Sequence, residues 1–395
     1  MQKFYFDIRD IFRAPRLALS GKKLILQTSG LSIGYLGYLI LTYISHLLSG
    51  RSFSEVWGSY GLFPLYDFSF AGFIPWLIFI IGCLFFISIF LLSNAAVGKV
   101  TYEQLKGDEF YSSKDSYKFL KKNWKTILAS PVSILILVIF LLISGIIIGL
   151  WGKIPYVGEL GLGLFYAVPI FVVALFTVYS LFIFIISLLL TPAVAATTKE
   201  DVFETIVQLF SSIWGQPWRY FIYTGLSGIL AKLGAFVFGY FCYRGVQFVN
   251  WSVGILMKDK LSEIIEGALG YLTIPSSILY FFSNIFPGIS FAYLVPEPAW
   301  GMGLNWSKGI AAFLIGISFI LIVFVVISYA LATLSVGQTL TYIILRKKKD
   351  DENLLEKKTE EEEEEEARLA EEKKKEEEKK EEPKLETPPP IEGEK

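Results

Sequence analysis

Six long apolar stretches, separated by segments that carry most of the charged residues, dominate the chain. A helix needs about 20 residues to cross roughly 30 Å of hydrocarbon, and each stretch reaches that length. They therefore predict an all-α integral membrane protein with about six transmembrane helices. The predicted spans cover residues 24–49, 73–97, 127–151, 162–197, 219–243 and 309–345. The fourth and sixth exceed what a bilayer requires, so we expect tilts or kinks, with Pro169 and Pro192 as kink candidates in the fourth.

A seventh apolar segment, residues 271–295, is interrupted by Pro275, Asn284 and Pro287. A seventh span would also place the basic residues 346–349 on the opposite side of the membrane from the other basic loops. We therefore interpret residues 254–295 as an outer-surface or re-entrant segment. Residues 255–269 within it have helical periodicity and predict a helix on the membrane surface.

Lysine and arginine predict the orientation. The N-terminal segment 1–23, the loops 98–126 and 198–219, and residues 346–349 together hold 19 of them, against 6 in the other loops. The positive-inside rule then places both termini in the cytoplasm, with the protein in the plasma (inner) membrane. The segment 1–23 is predicted to be amphipathic, as are the cytoplasmic helices that precede later spans.

The near-neutral total charge hides a segregation of charge along the chain. Residues 346–395 hold 21 acids and 14 bases, and residues 1–345 hold 16 acids and 22 bases. The tail is predicted to be either a charged helix, of the coiled-coil kind, or disordered. It could bind a protein partner, whereas a basic membrane domain with an acidic tail argues against nucleic acid as a partner.

Similar sequences lie at the ends of the second, fourth and sixth spans. They read LLSNAAVGKVTYEQ (91–104), LLLTPAVAATTKED (188–201) and LATLSVGQTLTYIIL (331–345). They indicate three repeats of a helix pair, each preceded by a cytoplasmic amphipathic elbow helix. The alternative is that membrane-exit segments resemble one another through composition alone.

One predicted elbow helix, residues 113–128, combines an apolar stripe with lysines. Tyr117, Leu120, Trp124 and Leu128 share one face. Anionic lipids of the cytoplasmic leaflet attract such basic amphipathic helices. A topology anchor without specific lipid binding explains the same pattern. The candidate lipid ligands are Lys114, Lys118, Lys121, Lys122 and Lys125.

Lys232 lies near the middle of the fifth span, and no span contains an acidic residue. A charge at that depth is costly, so we expect it to face the protein interior or a wet crevice and to bind an anionic ligand, or else to reach the membrane surface as a structural lysine. Small residues four apart predict close helix packing. These are Gly30, Gly34, Gly145, Gly149, Ser227, Ala231, Ala235 and Gly239.

Signatures of catalysis are missing from the sequence. His46 is the single histidine, so two-histidine metal motifs are excluded, and we interpret it as a packing residue. Asp259, Glu263 and Glu266 share a predicted helix face, which is more typical of a solvated surface than of a cation site. We expect no catalytic residues, no metal and no cofactor.

The segment TPAVAATTKEDVFETIVQLFSSIWGQPWRY (191–220) resembles poorly characterised prokaryotic multi-pass membrane families. These include the membrane domain attached to some glycerophosphodiester phosphodiesterases, and the similarity extends over about residues 90–225. The resemblance implies a bacterial envelope and a connection with lipids. It transfers no active site, because the soluble phosphodiesterase domain has no counterpart here.

Two functions follow from these features. The first is a non-enzymatic membrane protein that organises lipids or an envelope protein complex, as a monomer or homo-oligomer. The second is a permease or channel for an anionic or amphipathic solute, with Lys232 in its path.

Overall fold

The computed structural model describes residues 4–64, 72–198, 200–270 and 305–356, with residues 272, 280, 283 and 284 between the last two ranges. These residues form helices and connecting segments and contain no strand, so the all-α prediction is confirmed for them. The helices are α1 (Ile8–Ile11), α2 (Ala14–Ala18), α3 (Gly21–Leu48), α4 (Phe53–Tyr60), α5 (Phe73–Lys106), α6 (Ser113–Gly152), α7 (Val157–Phe165), α8 (Phe171–Thr197), α9 (Val202–Gly215), α10 (Pro217–Met257), α11 (Asp259–Gly270) and α12 (Trp306–Asp350).

Six helical segments are long and apolar enough to cross a membrane, as the sequence predicts. They are α3, α5, α6, the continuous α7–α8 segment, α10 and α12. The protein itself buries only 11% to 22% of the most apolar window of each one. Lipid must cover the remaining apolar surface, so the chain is a multi-pass membrane protein.

Most of these helices run beyond the predicted spans. α5 continues to Lys106, and α6 begins at Ser113, so the predicted elbow 113–128 and the third span are one helix of 40 residues. α10 has 41 residues, which at 1.5 Å per residue is about 60 Å. Hydropathy marks only the part of a helix that lies in hydrocarbon, whereas backbone hydrogen bonding continues into the polar flanks. Pro169 lies in a π-helical turn between α7 and α8, and α8 accommodates Pro192.

The helices pack as three sequential pairs around three central helices. α3 packs along α5, α6 along α8, and α10 along α12. The second helix of each pair, α5, α8 or α12, also contacts the other two second helices. The first helices therefore lie outside, and the second helices form the centre.

The centre is most deeply buried at one end, where the similar segments of the sequence come together. Residues 91–103 of α5, 190–197 of α8 and 332–345 of α12 are almost all buried there. A Cβ on Gly98 would lie 3.1 Å from the Ala196 Cβ of α8 and 3.1 Å from the Thr339 Oγ1 of α12. We call these three segments the three-helix core, and this end of the molecule the core end.

Local capping explains where α6 and α9 begin. The Ser112 hydroxyl accepts a hydrogen bond from the Asp115 backbone N–H at the start of α6. Asp201 caps α9 in the same way through the Glu204 N–H. The Thr198 hydroxyl donates to the Val194 carbonyl at the end of α8.

At the opposite end, the segment after α3 folds back along that helix. Hydroxyls of three α3 tyrosines donate to its backbone carbonyls: Tyr43 to Gly61 at 2.5 Å, Tyr35 to Leu62 at 2.6 Å, and Tyr38 to Pro64 at 2.9 Å. Tyr35 lies about 20 Å along the helix from its C-terminal end at Leu48. The segment 61–64 therefore reaches the middle of the first span.

The segment 254–295 is described only in part. α10 continues to Met257, Lys258 has a positive φ of 46°, and α11 follows, so the predicted helix 255–269 is interrupted. The buried side of α11, at Ile264 and Ala268, packs on Ala312 of α12. Almost all of the predicted re-entrant part, 271–295, lies outside the described residues, as does the tail after residue 356.

Candidate lipid-binding surface

The five candidate lysines of α6 lie on its outer surface. Lys114, Lys118, Lys121, Lys122 and Lys125 are all exposed. At about 100° per residue they occupy roughly a third of the helix circumference. The opposite side is buried against the rest of the protein. We call these five residues the lysine face.

The lysine face continues directly into the lipid-facing side of the same helix. Further along α6, residues on the same side of the helix are large, apolar and exposed. They include Val132 (52%), Ile136 (60%), Ile139 (45%), Phe140 (64%) and Ile143 (49%). Because α6 is one continuous helix, the lysines stand at the edge of the apolar surface and point the same way. This geometry suits contact with lipid headgroups.

Exposed aromatic residues border the lysine face. Tyr117 and Trp124 of α6 are 49% and 48% exposed. On α9, which packs against α6, Phe203, Val207 and Trp214 form an exposed stripe. α9 buries the other side, including Leu209 and Ile213, in the three-helix core. Tryptophan and tyrosine prefer the boundary between headgroups and hydrocarbon, so both stripes are typical of an interfacial surface.

Lysines outnumber acids by five to one within residues 113–125 of α6. Asp115 is the single acid among residues 113–125, and its carboxylate lies 3.0 Å from the Lys118 Nζ. Asp115 also accepts a hydrogen bond from the Ser112 hydroxyl at 2.6 Å. The surface therefore carries an excess of positive charge.

Behind this surface lies a buried ion pair that the sequence analysis did not identify. The Lys99 Nζ is 2.5 Å from the Glu103 carboxylate on α5, and their side chains are only 6% and 9% exposed. The ammonium also lies 5.1 Å from the Tyr102 ring centre and 5.6 Å from that of Phe119 on α6. The i,i+4 spacing of lysine and glutamate was the available signal, but the sequence does not indicate that the pair is buried.

Polar side chains connect the three-helix core with the first helix pair. The Gln27 amide of α3 donates to Asn94 of α5 at 3.2 Å, and the Ser335 hydroxyl of α12 donates to the Asn94 carbonyl at 2.8 Å. The Lys23 Nζ donates to the Gln104 side chain at 2.8 Å. These bonds link α3, α5 and α12 near the core end.

The chain that leads into the C-terminal tail is held against the core end. Arg346 pairs with Asp350 at 2.9 Å and hydrogen-bonds the Gln208 side chain of α9. After α12, Leu354 is completely buried, and the Tyr102 hydroxyl donates to its carbonyl at 2.7 Å. The Lys347 ammonium holds the pKa of the Asp351 carboxyl below its usual range. We call residues 351–356 the tail root.

Lys232 is exposed on α10, which differs from the interior position that its charge suggests. The buried side of α10 is formed by Tyr220, Tyr223, Ser227 and Ala231. Lys232 follows Ala231 by one residue, so it points about 100° away from that side. The described residues therefore place it on the outer surface of the helix bundle.

The predicted packing residues lie in different surroundings. A Cβ on Gly30 would lie 2.4 Å from Ser93 of α5, and one on Gly34 would lie 3.2 Å from Phe86. Ser227 lies against Gly337 of α12, and Ala231 is buried. Gly239 lies against Val326 of α12, and Ala235 is half-buried. No described residue lies within 4 Å of a Cβ built on Gly145 or Gly149, so the structure places no helix against them.

Two of the remaining polar candidates, His46 and Glu263, have partners within the protein. His46 is buried, and its ring stacks on Tyr60 with centres 5.2 Å apart. Glu263 pairs with Lys308 of α12. Within the described ranges, no cluster of three or more acidic, histidine or cysteine side chains could hold a metal ion. Cys83 and Cys242 are free thiols.

Comparison with known proteins gives no relative on which an assignment could rest. No protein-family model, no curated protein and no solved structure matches the chain. The chemistry of its own surface therefore carries the functional argument.

Proposed function

We propose that this protein is a non-enzymatic component of the plasma (inner) membrane that organises anionic lipids, or an envelope complex, at its core end. The observation that carries the proposal is the continuity of the lysine face with the lipid-facing side of α6. A basic surface in that position meets phosphate-bearing headgroups without any rearrangement of the helix.

The five lysines form two groups according to their distance along α6 from the apolar stretch. Counted from Ile127, where the apolar stretch begins, Lys121, Lys122 and Lys125 lie within about 9 Å along the helix. Lys114 and Lys118 lie about 20 and 14 Å away. The headgroup layer on each side of a bilayer is only about 5–7 Å thick, and lysine side chains can extend toward it. The first group therefore contacts headgroups, whereas the second contributes only long-range attraction.

The orientation and the repeated architecture belong to the same proposal. The core end lies in the cytoplasm, with both termini, in agreement with the excess of lysine and arginine there. The three helix pairs are repeats of one unit, and their similar segments form the three-helix core. The parts of α6 and α9 near the core end are the elbow helices of the second and third repeats. A protein partner binds through the C-terminal tail.

The test compares lipid retention by matched variants in nanodiscs made of equal parts phosphatidylcholine and phosphatidylglycerol. Native mass spectrometry counts the phospholipids of each class that stay bound. We expect the Lys121→Gln/Lys122→Gln/Lys125→Gln variant to lose preference for phosphatidylglycerol by at least about fivefold. The Lys114→Gln/Lys118→Gln variant is the control and should lose much less.

Equal retention of phosphatidylglycerol by the wild type and both variants would contradict the proposal. A loss of the same size in both variants would favour diffuse attraction over headgroup contact. Circular dichroism of each variant shows whether the helical fold is unchanged.

The alternative, a permease or channel for an anionic or amphipathic solute, requires a water-filled path that reaches Lys232. Lys232 is exposed on the outer side of α10. No observation on the described residues favours that alternative.

A further inference from the structure

The C-terminal tail leaves the protein from a fixed point at the core end. Leu354 is buried in the same apolar cluster as Tyr102, Leu209 and Tyr342, and Leu355 packs against that cluster. The Lys349 ammonium donates a hydrogen bond to the Ser211 hydroxyl of α9. This bond also holds the end of α12 in place. Residue 356 therefore has a defined position relative to the helices around it.

This position is close to α6. Tyr102, whose hydroxyl binds the Leu354 carbonyl, lies beside the Lys99 ammonium, and that ammonium lies beside Phe119 of α6. Two side chains thus separate the tail root from α6. α9 contacts the end of α12 on one side and packs against α6 on the other, so it also connects the two.

The charge of the next part of the tail is opposite to that of the lysine face. Residues 360–366 are seven consecutive glutamates. Two bases near the tail root already have acidic partners: Lys347 lies 2.8 Å from Asp351 and Arg346 lies 2.9 Å from Asp350. The lysine face has five bases on one helix and the single acid Asp115.

The length of the connecting chain permits contact. An extended chain spans at most about 3.3–3.6 Å per residue, so the run begins within roughly 14 Å of residue 356 and ends within roughly 36 Å. The diameter of a helix with its side chains is about 10–12 Å, so the run can pass around α6 to its outer side.

We propose that the glutamate run 360–366 docks on the lysine face of α6 and competes there with anionic lipid headgroups. The regulation rests on the proposed lipid-binding function, whereas the docking requires only the charges and the reach of the tail. In a membrane poor in anionic lipid the run occupies the lysines. Anionic headgroups displace it, which frees the tail for a protein partner.

Zero-length carbodiimide cross-linking of the full chain tests the docking, because it joins a glutamate carboxyl only to a lysine amine in direct contact. The protein is reconstituted in nanodiscs of phosphatidylcholine alone, and cross-linked peptides are identified by mass spectrometry. We expect links between residues 360–366 and the lysine face. In nanodiscs with equal parts phosphatidylglycerol, their yield should fall at least about threefold.

A test variant and a matched control, both with glutamates of the tail replaced by Gln, test the competition between the run and anionic lipid. Replacement of all seven glutamates by Gln keeps the length of the run but removes its charge, and should raise phosphatidylglycerol retention in mixed nanodiscs about threefold. Replacement of residues 376–378 by Gln removes three glutamates farther along the tail and should leave retention unchanged.

The results that would overturn this inference differ from those that would contradict the proposed function. Cross-links confined to lysines of the tail itself would show that the run does not dock, even if the lysine face binds lipid. A yield that anionic lipid leaves unchanged would exclude competition. If substitution of Lys121, Lys122 and Lys125 leaves lipid retention unchanged while the cross-links to α6 form, the proposed function is wrong and the docking stands.

Discussion

At the scale of single residues, the buried ion pair between Lys99 and Glu103 is the most sensitive point of the three-helix core. Removing one partner of a buried pair costs about 3–5 kcal/mol, because the other charge loses its compensation. We expect Lys99→Met to lower the midpoint of thermal unfolding in nanodiscs clearly. The double variant Lys99→Met/Glu103→Met should be less destabilised than Lys99→Met alone.

Differential scanning fluorimetry of the wild type, both single variants and the double variant measures the effect. A Lys99→Met protein as stable as the wild type would mean that the pair lies in a well-solvated position. A double variant that loses the sum of the two single effects would show that the two residues act independently.

Gly98 provides a second test of how closely the three central helices approach. A Cβ added to Gly98 would lie 3.1 Å from the Ala196 Cβ and 3.1 Å from the Thr339 Oγ1. A larger side chain must therefore push the helices apart. We expect Gly98→Leu to destabilise the protein by about 1–3 kcal/mol. Gly145→Leu is the matched control, since a Cβ there has no described atom within 4 Å.

Comparison of the thermal unfolding midpoints of the two leucine variants tests this prediction. Equal stability of Gly98→Leu and Gly145→Leu would contradict the close contact of α5 with α8 and α12. A less stable Gly145→Leu would indicate a packing contact at Gly145 outside the described residues or in an oligomer.

Lys232 shows what the sequence could not predict at this scale. Its depth in the span follows from simple counting, but its direction depends on which side of α10 meets α12. Ser227 and Ala231 define that side through their contacts, and residue 232 is turned away by one helical step. The free-energy cost of a charge in hydrocarbon indicates which environment is favourable for Lys232. It does not indicate which side of α10 packs against other helices.

At the scale of elements, the segment after α3 is the clearest departure from a simple surface loop. Its carbonyls at Gly61, Leu62 and Pro64 receive hydrogen bonds from three tyrosines of α3. Non-helical backbone at membrane depth requires such partners, since each unsatisfied group costs about 1–3 kcal/mol. The tyrosines therefore fix a re-entrant turn that enters from the end opposite the core end.

Cysteine labelling tests the re-entrant turn. In a Cys83→Ser/Cys242→Ser background, a cysteine in place of Leu62 should react with a water-soluble maleimide at least about tenfold more slowly than one in place of Ser54, because thiolate formation requires water. Ser54 is exposed near the start of α4.

The triple replacement of Tyr35, Tyr38 and Tyr43 by Phe supplies the second half of that test. It removes the three donors and should increase the labelling rate at position 62. Fast labelling at position 62 with all three tyrosines present would exclude the re-entrant turn.

The hydropathy pattern predicted the membrane-spanning helices well, because contact with lipid requires apolar side chains along them. The six apolar segments are present because each must bury its backbone in hydrocarbon without help from neighbours. The turn at residues 61–64 was not predictable in this way. It depends on hydroxyl groups 18 to 27 residues earlier in the chain, and tyrosines in a span are equally typical of an interfacial belt.

At the scale of the whole molecule, the three similar segments acquire a common structural role. Each ends the second helix of a pair, and together they form the three-helix core. Small residues there, such as Gly98, Ala196 and Gly337, permit the close approach of helices. The sequence indicated the similarity, but only the packing shows that the segments meet.

The same end of the molecule carries both the lysine face and the tail root. The three-helix core buries the ion pair between Lys99 and Glu103. The lysine face adds five bases beside the lipid-facing side of α6. The protein is therefore expected to select anionic lipids from the membrane around it, and its tail is expected to respond to their abundance.

The most direct test is native mass spectrometry of the protein extracted from its own membranes with lipids retained. The account predicts anionic phospholipid bound to the wild type in excess over its share of the membrane. It also predicts that this excess is lost in the Lys121→Gln/Lys122→Gln/Lys125→Gln variant. Phospholipids bound by both proteins in the proportions of the surrounding membrane would contradict it.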